Sequence, residues 1–191
     1  MGSERSYPAP ARPAGQDNLN GVSRMEIRQS NAGDALQVEA LLGRSYPVTM
    51  AAAYDDSILS VALPLMTKAQ PDLLTSGTFF VVEDAGLVVG CGGWTFAEPG
   101  SGRIVEGLAH LRHFAVDPTR SRQGIGRLIF DECSRSAAQQ GALRFQVFSS
   151  LNAEAFYAGM GLSRIDVGRV PMGADLAFPV VLMEGPITAG P

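Results

Sequence analysis

Hydrophobic and polar positions recur with two different periods along the chain, and the change of period divides it into strands and helices. MEIRQS, at residues 25–30, alternates with a period of two and predicts a strand. From Asp34 onward the apolar spacing is helical, through Leu36, Val38, Leu41 and Leu42. A second helix is predicted over 50–66, ended or kinked by Pro64, with an apolar side formed by Ile58, Val61, Leu63 and Leu65.

A block rich in strands follows a loop marked by Pro71 and Gly77. TFFVVED and LVVGCGGWTF flank the pair Ala85-Gly86, which predicts a β-hairpin. The remaining predicted elements are a strand over 104–116, a helix over 124–140, a strand over 144–150, a short helix over 153–160 and one or two strands over 165–187. The order β-α-α-β-β-β-α-β-α-β(β) indicates a mixed α+β domain rather than a regular βαβ repeat.

Composition describes an ordinary globular protein with a polar extension. The chain has 191 residues, which is long enough for one domain with a hydrophobic core, and we predict that domain over 25–191. Its residues are 46% hydrophobic and 18% charged, as in ordinary globular proteins. Residues 1–24 are rich in Pro, Gly, Ser and Ala and are predicted to be disordered. The net charge of −4 argues against nucleic-acid binding, which relies on a basic surface.

The sequence shows no pattern typical of a membrane span, a metal site or a disulfide bond. No apolar run approaches the roughly 20 residues that span a bilayer, and no signal-peptide core is present, so a cytoplasmic location is expected. Cys91 and Cys133 lie in apolar surroundings and are expected to be reduced and buried. The only histidines, His110 and His113, show no metal-ligand spacing, so no metal is expected.

The stretch SRQGIGRLIF, at 121–130, has glycines that open a helix. A P-loop is excluded because the only lysine is Lys68, and a dinucleotide fingerprint would need glycine where Ile129 stands. Two interpretations remain. In the first, the free N–H groups of the helix start hold a pyrophosphate together with Arg122 and Arg127. In the second, the glycines only permit a tight turn and close packing.

Two blocks resemble the GNAT-type N-acetyltransferases. FAVDPTRSRQGIGRLIFDEC, at 114–133, is similar to the acyl-CoA motif of that family, although Ser121 stands where the family prefers Gln or Arg. SSLNAEAFYAGMGL, at 149–162, resembles the family's last conserved block, in which a strand precedes a short helix with a tyrosine. The family's usual asparagine falls on Ser150, with Asn152 close by.

The resemblance implies the GNAT fold, a central mixed and mostly antiparallel sheet flanked by helices, with acetyl-CoA as cosubstrate and no metal. The residues it implies for acetyl-CoA binding are Phe114, Ala115, Val116, Arg122, Gln123, Gly124, Ile125, Gly126, Arg127 and Asn152. The implied reaction is direct transfer of the acetyl group to an amine, without a covalent intermediate. Homodimers are common in the family.

The resemblance also implies catalytic roles. Tyr157 matches the family's proton donor to the leaving thiolate. His113 and Glu106 are the candidate bases, and alternation along a strand over 104–116 puts Glu106 and His110 on one face and His113 on the other.

The acceptor pocket of this fold is built largely by the first two helices. In this chain the expected lining is Tyr46, Tyr54, Asp55 and Asp56, with an aspartate attracting a cationic amine, and Trp94 closes the cleft or fills the core. The acceptor is left open between a small-molecule amine and a peptide amine. A non-catalytic domain of the same fold that binds acyl-CoA as a sensor or interaction module is the alternative.

Overall fold

The computed structural model describes residues 25–173 and 176–188. The strands are β1 Glu26–Gln29, β2 Phe79–Asp84, β3 Leu87–Thr95, β4 Leu108–Val116, β5 Arg144–Ser149, β6 Ser163–Met172 and β7 Leu176–Pro186. The helices are α1 Ala35–Met50, α2 Asp56–Met66, α3 Pro71–Leu74, α4 Ile125–Gln139 and α5 Glu154–Gly159. The predicted disorder of residues 1–24 concerns a segment outside the described residues.

One sheet of seven strands, in the order β1-β2-β3-β4-β5-β7-β6, forms the centre of the fold. Every neighbouring pair is antiparallel except β4 and β5, which run parallel. The α+β class and the mixed, mostly antiparallel sheet flanked by helices are therefore confirmed. Among the described helices, none has the length and apolar content needed to cross a membrane.

The helices bury two separate cores on opposite faces of the sheet. On one face α4 places Ile129 and Cys133 among Phe80, Val82 and Phe145. On the other face α1, α2 and α3 cover a second core, formed by Leu41, Leu42, Leu59, Leu74, Phe79 and Phe178 among others. The helices therefore cover both faces at the centre of the sheet, whereas most residues of the edge strand β6 are exposed.

The predicted apolar side of the second helix is partly wrong. In α2 the buried residues are Leu59 and Ala62, whereas Val61 and Leu65 are about half exposed, at 45% and 50%. Leu59 and Ala62 lie three residues apart, so they share the face that meets the core. The second helix also starts at Asp56 instead of Met50, because α1 continues through Pro47 to Met50.

The strand predicted over 104–116 begins only at Leu108. Gly107 has a φ of +70°, which is not extended backbone, and the N–H of Leu108 donates to the carbonyl of Val105 across 3.1 Å. Ile104 forms only an isolated bridge with Ala97. Glu106 therefore lies in an exposed turn instead of on the strand, which corrects its predicted placement.

Candidate functional site

β4 and β5 pair over only three residues. The pairs are Leu108 with Arg144, Ala109 with Phe145 and His110 with Gln146. Beyond His110 the two strands separate, although β4 continues to Val116 and β5 to Ser149. The facing edges of both strands line a cavity of about 810 Å³. This gap exposes a strand edge in the middle of the sheet.

The cavity has two ends of different character. The glycine end is lined by Ser121, Arg122, Gly124, Gly126 and Arg127, at the start of α4. The methionine end is lined by Met50, Met66, Gln70, Arg112, Met172 and Phe178. Phe114, Tyr157 and the two strand edges lie between the ends. Among the described residues, no aspartate or glutamate lines the cavity.

The glycine end presents the N-terminus of a fifteen-residue helix to the cavity. Gly124 precedes α4 with a φ of +82°, and a Cβ built on it meets no other atom within 4 Å. The first N–H groups of a helix have no partner within the helix and carry positive partial charge. Gly126 serves packing, because a Cβ there would lie 3.0 Å from Cε2 of Phe156. The two glycines thus have different surroundings: open space at Gly124 and a close aromatic ring at Gly126.

A β-bulge interrupts β4 beside the gap. Cys91 pairs with Ala115 and Gly93 with Arg112, so Gly92 faces both His113 and Phe114. His113 adopts a φ of +51°, which is uncommon for a residue other than glycine. The Sγ of Cys91 donates to the carbonyl of His113 across 3.4 Å. Strained backbone of this kind occurs preferentially at functional sites.

The bulge also overturns the predicted alternation of side chains. Arg112 and His113 are adjacent, yet both reach the side chain of Gln70. Nη2 of Arg112 donates to Oε1 of Gln70 across 3.2 Å, and the amide nitrogen of Gln70 lies 3.2 Å from Nε2 of His113. A regular strand would have put these two neighbours on opposite faces.

These contacts fix the tautomer of His113. A guanidinium only donates, so Oε1 of Gln70 is the acceptor and its amide nitrogen must be the donor to Nε2 of His113. The neutral ring then carries its proton on Nδ1. Burial, and secondarily the charge of Arg112, lower the pKa of His113 to about 4. The ring is therefore neutral at physiological pH.

Tyr157 lies in a group of aromatic rings between the two ends. Its ring centroid is 5.9 Å from that of Phe114 and 5.0 Å from that of Phe156, both with edge-on geometry. Burial raises the pKa of Tyr157 well above its ordinary value. The hydroxyl consequently stays protonated at neutral pH and is able to donate a hydrogen bond.

The structure brings most of the predicted site residues to one cavity. It is lined by Tyr157, His113, Phe114, Ala115, Val116, Arg122, Gly124, Ile125, Gly126, Arg127 and Asn152, and by Tyr46 of the expected acceptor residues. Gln123 and Glu106 are exposed and do not line it. His110 is buried outside the lining, and burial lowers its pKa.

Three expected acceptor residues lie outside the cavity lining. The hydroxyl of Tyr54 donates to the carbonyl of Pro179 and accepts from the N–H of Leu151, which is a structural role. Asp55 and Asp56 begin α2 in exposed positions. The alternative that Trp94 fills the core is the one observed, since its side chain is buried and its Nε1 donates to Oγ of Ser136.

The methionine end was not predicted from the sequence. Gln70 and Arg112 are 42 residues apart, and no local motif contains both. Met50, Met66 and Met172 belong to three different elements and have no common spacing. The only available signal was an arginine in a largely apolar strand, in the stretch LAHLRHFAV.

The sequence itself matches a known domain. Residues 75–161 fit the family model of the acetyltransferase (GNAT) domain, and this range contains β2 through α5, and with them the gap, the bulge and the glycine end. Over this range the chain is similar to the GNAT acetyltransferases. An acetyl-CoA-dependent acyltransferase is the class of enzyme that this domain defines, as the two sequence blocks predicted.

Solved structures agree with the GNAT domain in fold. A GCN5-related N-acetyltransferase from Rhodopseudomonas palustris has a TM-score of 0.71 at 19% identity, covering 86% of this chain and 96% of its own. The PaiA N-acetyltransferase from Thermoplasma acidophilum, in complex with coenzyme A, has a TM-score of 0.65 at 16% identity. The match covers 85% of this chain and 99% of that one. N-acetylglutamate synthase from Neisseria gonorrhoeae, complexed with coenzyme A and N-acetyl-glutamate, has a TM-score of 0.58 at 17% identity. The match covers 87% of this chain and 36% of that one. The search of curated proteins found no significant match.

Proposed function

We propose that the protein is an N-acetyltransferase that moves the acetyl group of acetyl-CoA to a primary amine by direct attack. The observation that carries the proposal is the gap between β4 and β5, which joins a helix N-terminus at one end to a polar and apolar pocket at the other. A donor and an acceptor that enter from these ends meet beside the bulge, so transfer needs no intermediate carrier.

The glycine end would hold the CoA pyrophosphate. The amides around Arg122 to Arg127 supply N–H donors, and the side chains of Arg122 and Arg127 add positive charge. The pantetheine arm would pair with the free edge of β4 from Phe114 to Val116, as an added strand does. Asn152, on the opposite wall, would contact the same arm. Gln123 lies between lining residues in sequence, but it is exposed and outside the lining, so we give it no side-chain contact to the cosubstrate.

The bulge would orient the thioester. Its carbonyl oxygen gains negative charge during attack, and a fixed backbone N–H at that point stabilises it. The N–H of Phe114 or Ala115 is the proposed donor, because the extra residue in β4 changes the direction of the backbone there. The contact from Cys91 to the carbonyl of His113 holds this conformation.

Tyr157 is the proposed donor to the leaving sulfur. Its raised pKa keeps the hydroxyl protonated, so it can donate a hydrogen bond to the thiolate as that charge develops. The Cys91 thiol is not a rival acyl carrier, because burial raises its pKa to about 12 and it is fully buried.

The amine would attack in its neutral form. The charged side chains that line the cavity are arginines, and both burial and nearby positive charge disfavour an ammonium ion. His113 is a weak candidate for the base, because its pKa is about 4 and its Nε2 is engaged by Gln70. We assign the proton to solvent water, with His113 as a polar contact. Glu106 receives no step, because it lies outside the cavity lining.

The test is acetyl-CoA turnover against a panel of primary amines, followed by the release of free thiol. Transfer to at least one amine, with the acetylated product identified by mass spectrometry, supports the proposal. Tight acetyl-CoA binding without transfer to any amine would contradict it and favour the sensor function instead.

A further inference from the structure

Arg112 is a partly buried cation without an anionic partner among the described residues. Three arginines of the described chain are partly buried, and the other two form salt bridges: Arg28 with Asp34 and Glu83, and Arg120 with Asp84. Arg112 donates only to Oγ1 of Thr95 and Oε1 of Gln70, each across 3.2 Å. Burial lowers its pKa, which shows that the charge is partly removed from water. A charge in such surroundings is costly unless it is paired.

Arg112 lines the cavity and has donors to spare. Its guanidinium has five N–H groups, and the two hydrogen bonds leave three of them without a described partner. Since no carboxylate of residues 25–173 or 176–188 lines the cavity, we take the complementary negative charge to come from a ligand. A guanidinium matches a carboxylate with two parallel hydrogen bonds.

Apart from Gln70, the other named groups at the methionine end are apolar. Met50, Met66, Met172 and Phe178 surround the space next to Arg112 on the side of the sheet covered by α1 and α2. Methionine side chains are flexible and polarisable and adapt to apolar shapes. The pocket thus combines one carboxylate-binding group with an apolar wall.

We infer that the acceptor is an apolar α-amino acid, whose carboxylate binds Arg112 and whose side chain packs among the methionines. The inference rests on the proposed function, because it names the amine for that transfer. The carboxylate on Arg112 would place the neighbouring α-amine a short distance along β4, toward the bulge at His113.

The first experiment compares leucine, leucinamide and 3-methylbutylamine as acceptors. These share an apolar body and an amine, and only leucine carries a carboxylate. The wild-type protein is expected to use leucine with kcat/KM at least about tenfold above both analogues, the range of a hydrogen bond to a charged group. Equal or better use of the analogues would overturn the inference and leave the proposed function intact.

Variants locate the effect. Arg112→Gln is expected to lower kcat/KM for leucine about tenfold or more and to change leucinamide by less than about twofold. Arg112→Lys keeps the charge but loses the paired N–H donors of the guanidinium, so its kcat/KM for leucine should lie between those of the wild type and Arg112→Gln. Arg135→Gln is the matched control, because Arg135 is exposed on α4 and lies outside the cavity lining. An equal loss for leucine and leucinamide in Arg112→Gln would contradict carboxylate recognition.

A binding measurement separates the inference from the proposed function. N-acetyl-leucine and its amide are titrated into the CoA-loaded protein by calorimetry, with no turnover required. Arg112-dependent binding of the acid alone supports the carboxylate site even if no amine is acetylated, in which case only the proposed function fails. Equal binding of acid and amide, or acid binding that persists in Arg112→Gln, would overturn the inference.

Discussion

The two ends of the cavity are built from different kinds of chain segment. The glycine end is a continuous stretch, residues 121–127, in which a loop turns into a helix. The methionine end combines α1, α2, the residue before α3, β4, β6 and β7, which are distant in sequence. The first end offers backbone N–H groups that suit one cosubstrate, and the second offers side chains that can vary. A local motif is therefore enough to predict the proposed acetyl-CoA site, whereas the proposed acceptor site depends on tertiary contacts.

The largest expected effect lies where the two ends meet. Tyr157→Phe should lower turnover by about 10²-fold or more, because the donor to the leaving sulfur acts only as charge develops. The Kd for acetyl-CoA should stay within about twofold. Tyr54→Phe is the matched control, since Tyr54 has its hydrogen bonds outside the cavity and its loss should affect stability alone. Unchanged turnover in Tyr157→Phe would refute the assignment.

A second prediction concerns the methionine end and the stability of the fold. His113 has a pKa of about 4 in the folded protein and about 6.5 when unfolded, so the unfolded chain binds more protons between these values. The free energy of unfolding should therefore fall as the pH drops from about 6.5 to 4, with a contribution of about 2 kcal/mol already lost at pH 5.

His113→Asn isolates this contribution, because asparagine tolerates the positive φ better than most residues. Denaturant unfolding at pH 7 and pH 5 should show a smaller difference for the variant than for the wild type. If both proteins lose the same free energy, the ring of His113 is not held neutral by the fold.

The glycine end is tested by comparing two glycine-to-alanine substitutions that introduce the same backbone strain. Gly124→Ala should raise the Kd for acetyl-CoA about tenfold, because the methyl group enters the space at the helix start and the positive φ becomes unfavourable. Gly141→Ala carries the same strain, with a φ of +89° and open space, at the other end of α4. Both variants should lose about 1–2 kcal/mol of stability, and only Gly124→Ala should lose affinity. Equal affinities would return the glycines to a purely structural role.

The smallest expected effect concerns the aspartates that the sequence placed in the acceptor pocket. Asp55→Asn and Asp56→Asn should change kcat/KM for any accepted amine by less than about twofold, since neither residue lines the cavity. The stability change should also be small, because Asp55 makes no side-chain capping bond. A loss of tenfold or more would show that the start of α2 contributes to the acceptor site after all.

The contrast between the ends explains what the sequence could predict. The element order, the two faces of the sheet and the loop at 121–127 follow from spacing within short segments. The bulge does not, because it exists only as a mismatch between β3 and β4, where Gly92 faces two residues at once. The tautomer of His113 likewise depends on Gln70, which lies 43 residues away. Register and pairing of this kind are properties of two segments together and are absent from either one alone.

The short pairing of β4 with β5 also has a mechanical consequence. Only the pairs from Leu108 to His110 join a four-stranded half, β1 to β4, to a three-stranded half, β5 to β7, across the sheet. A cosubstrate lying in the gap would add a strand-like link between the halves and restrict their relative motion. We expect amide hydrogen exchange at Val147–Ser149 and at Phe114–Val116 to slow together when CoA binds, because the two halves of the sheet would then move as one unit.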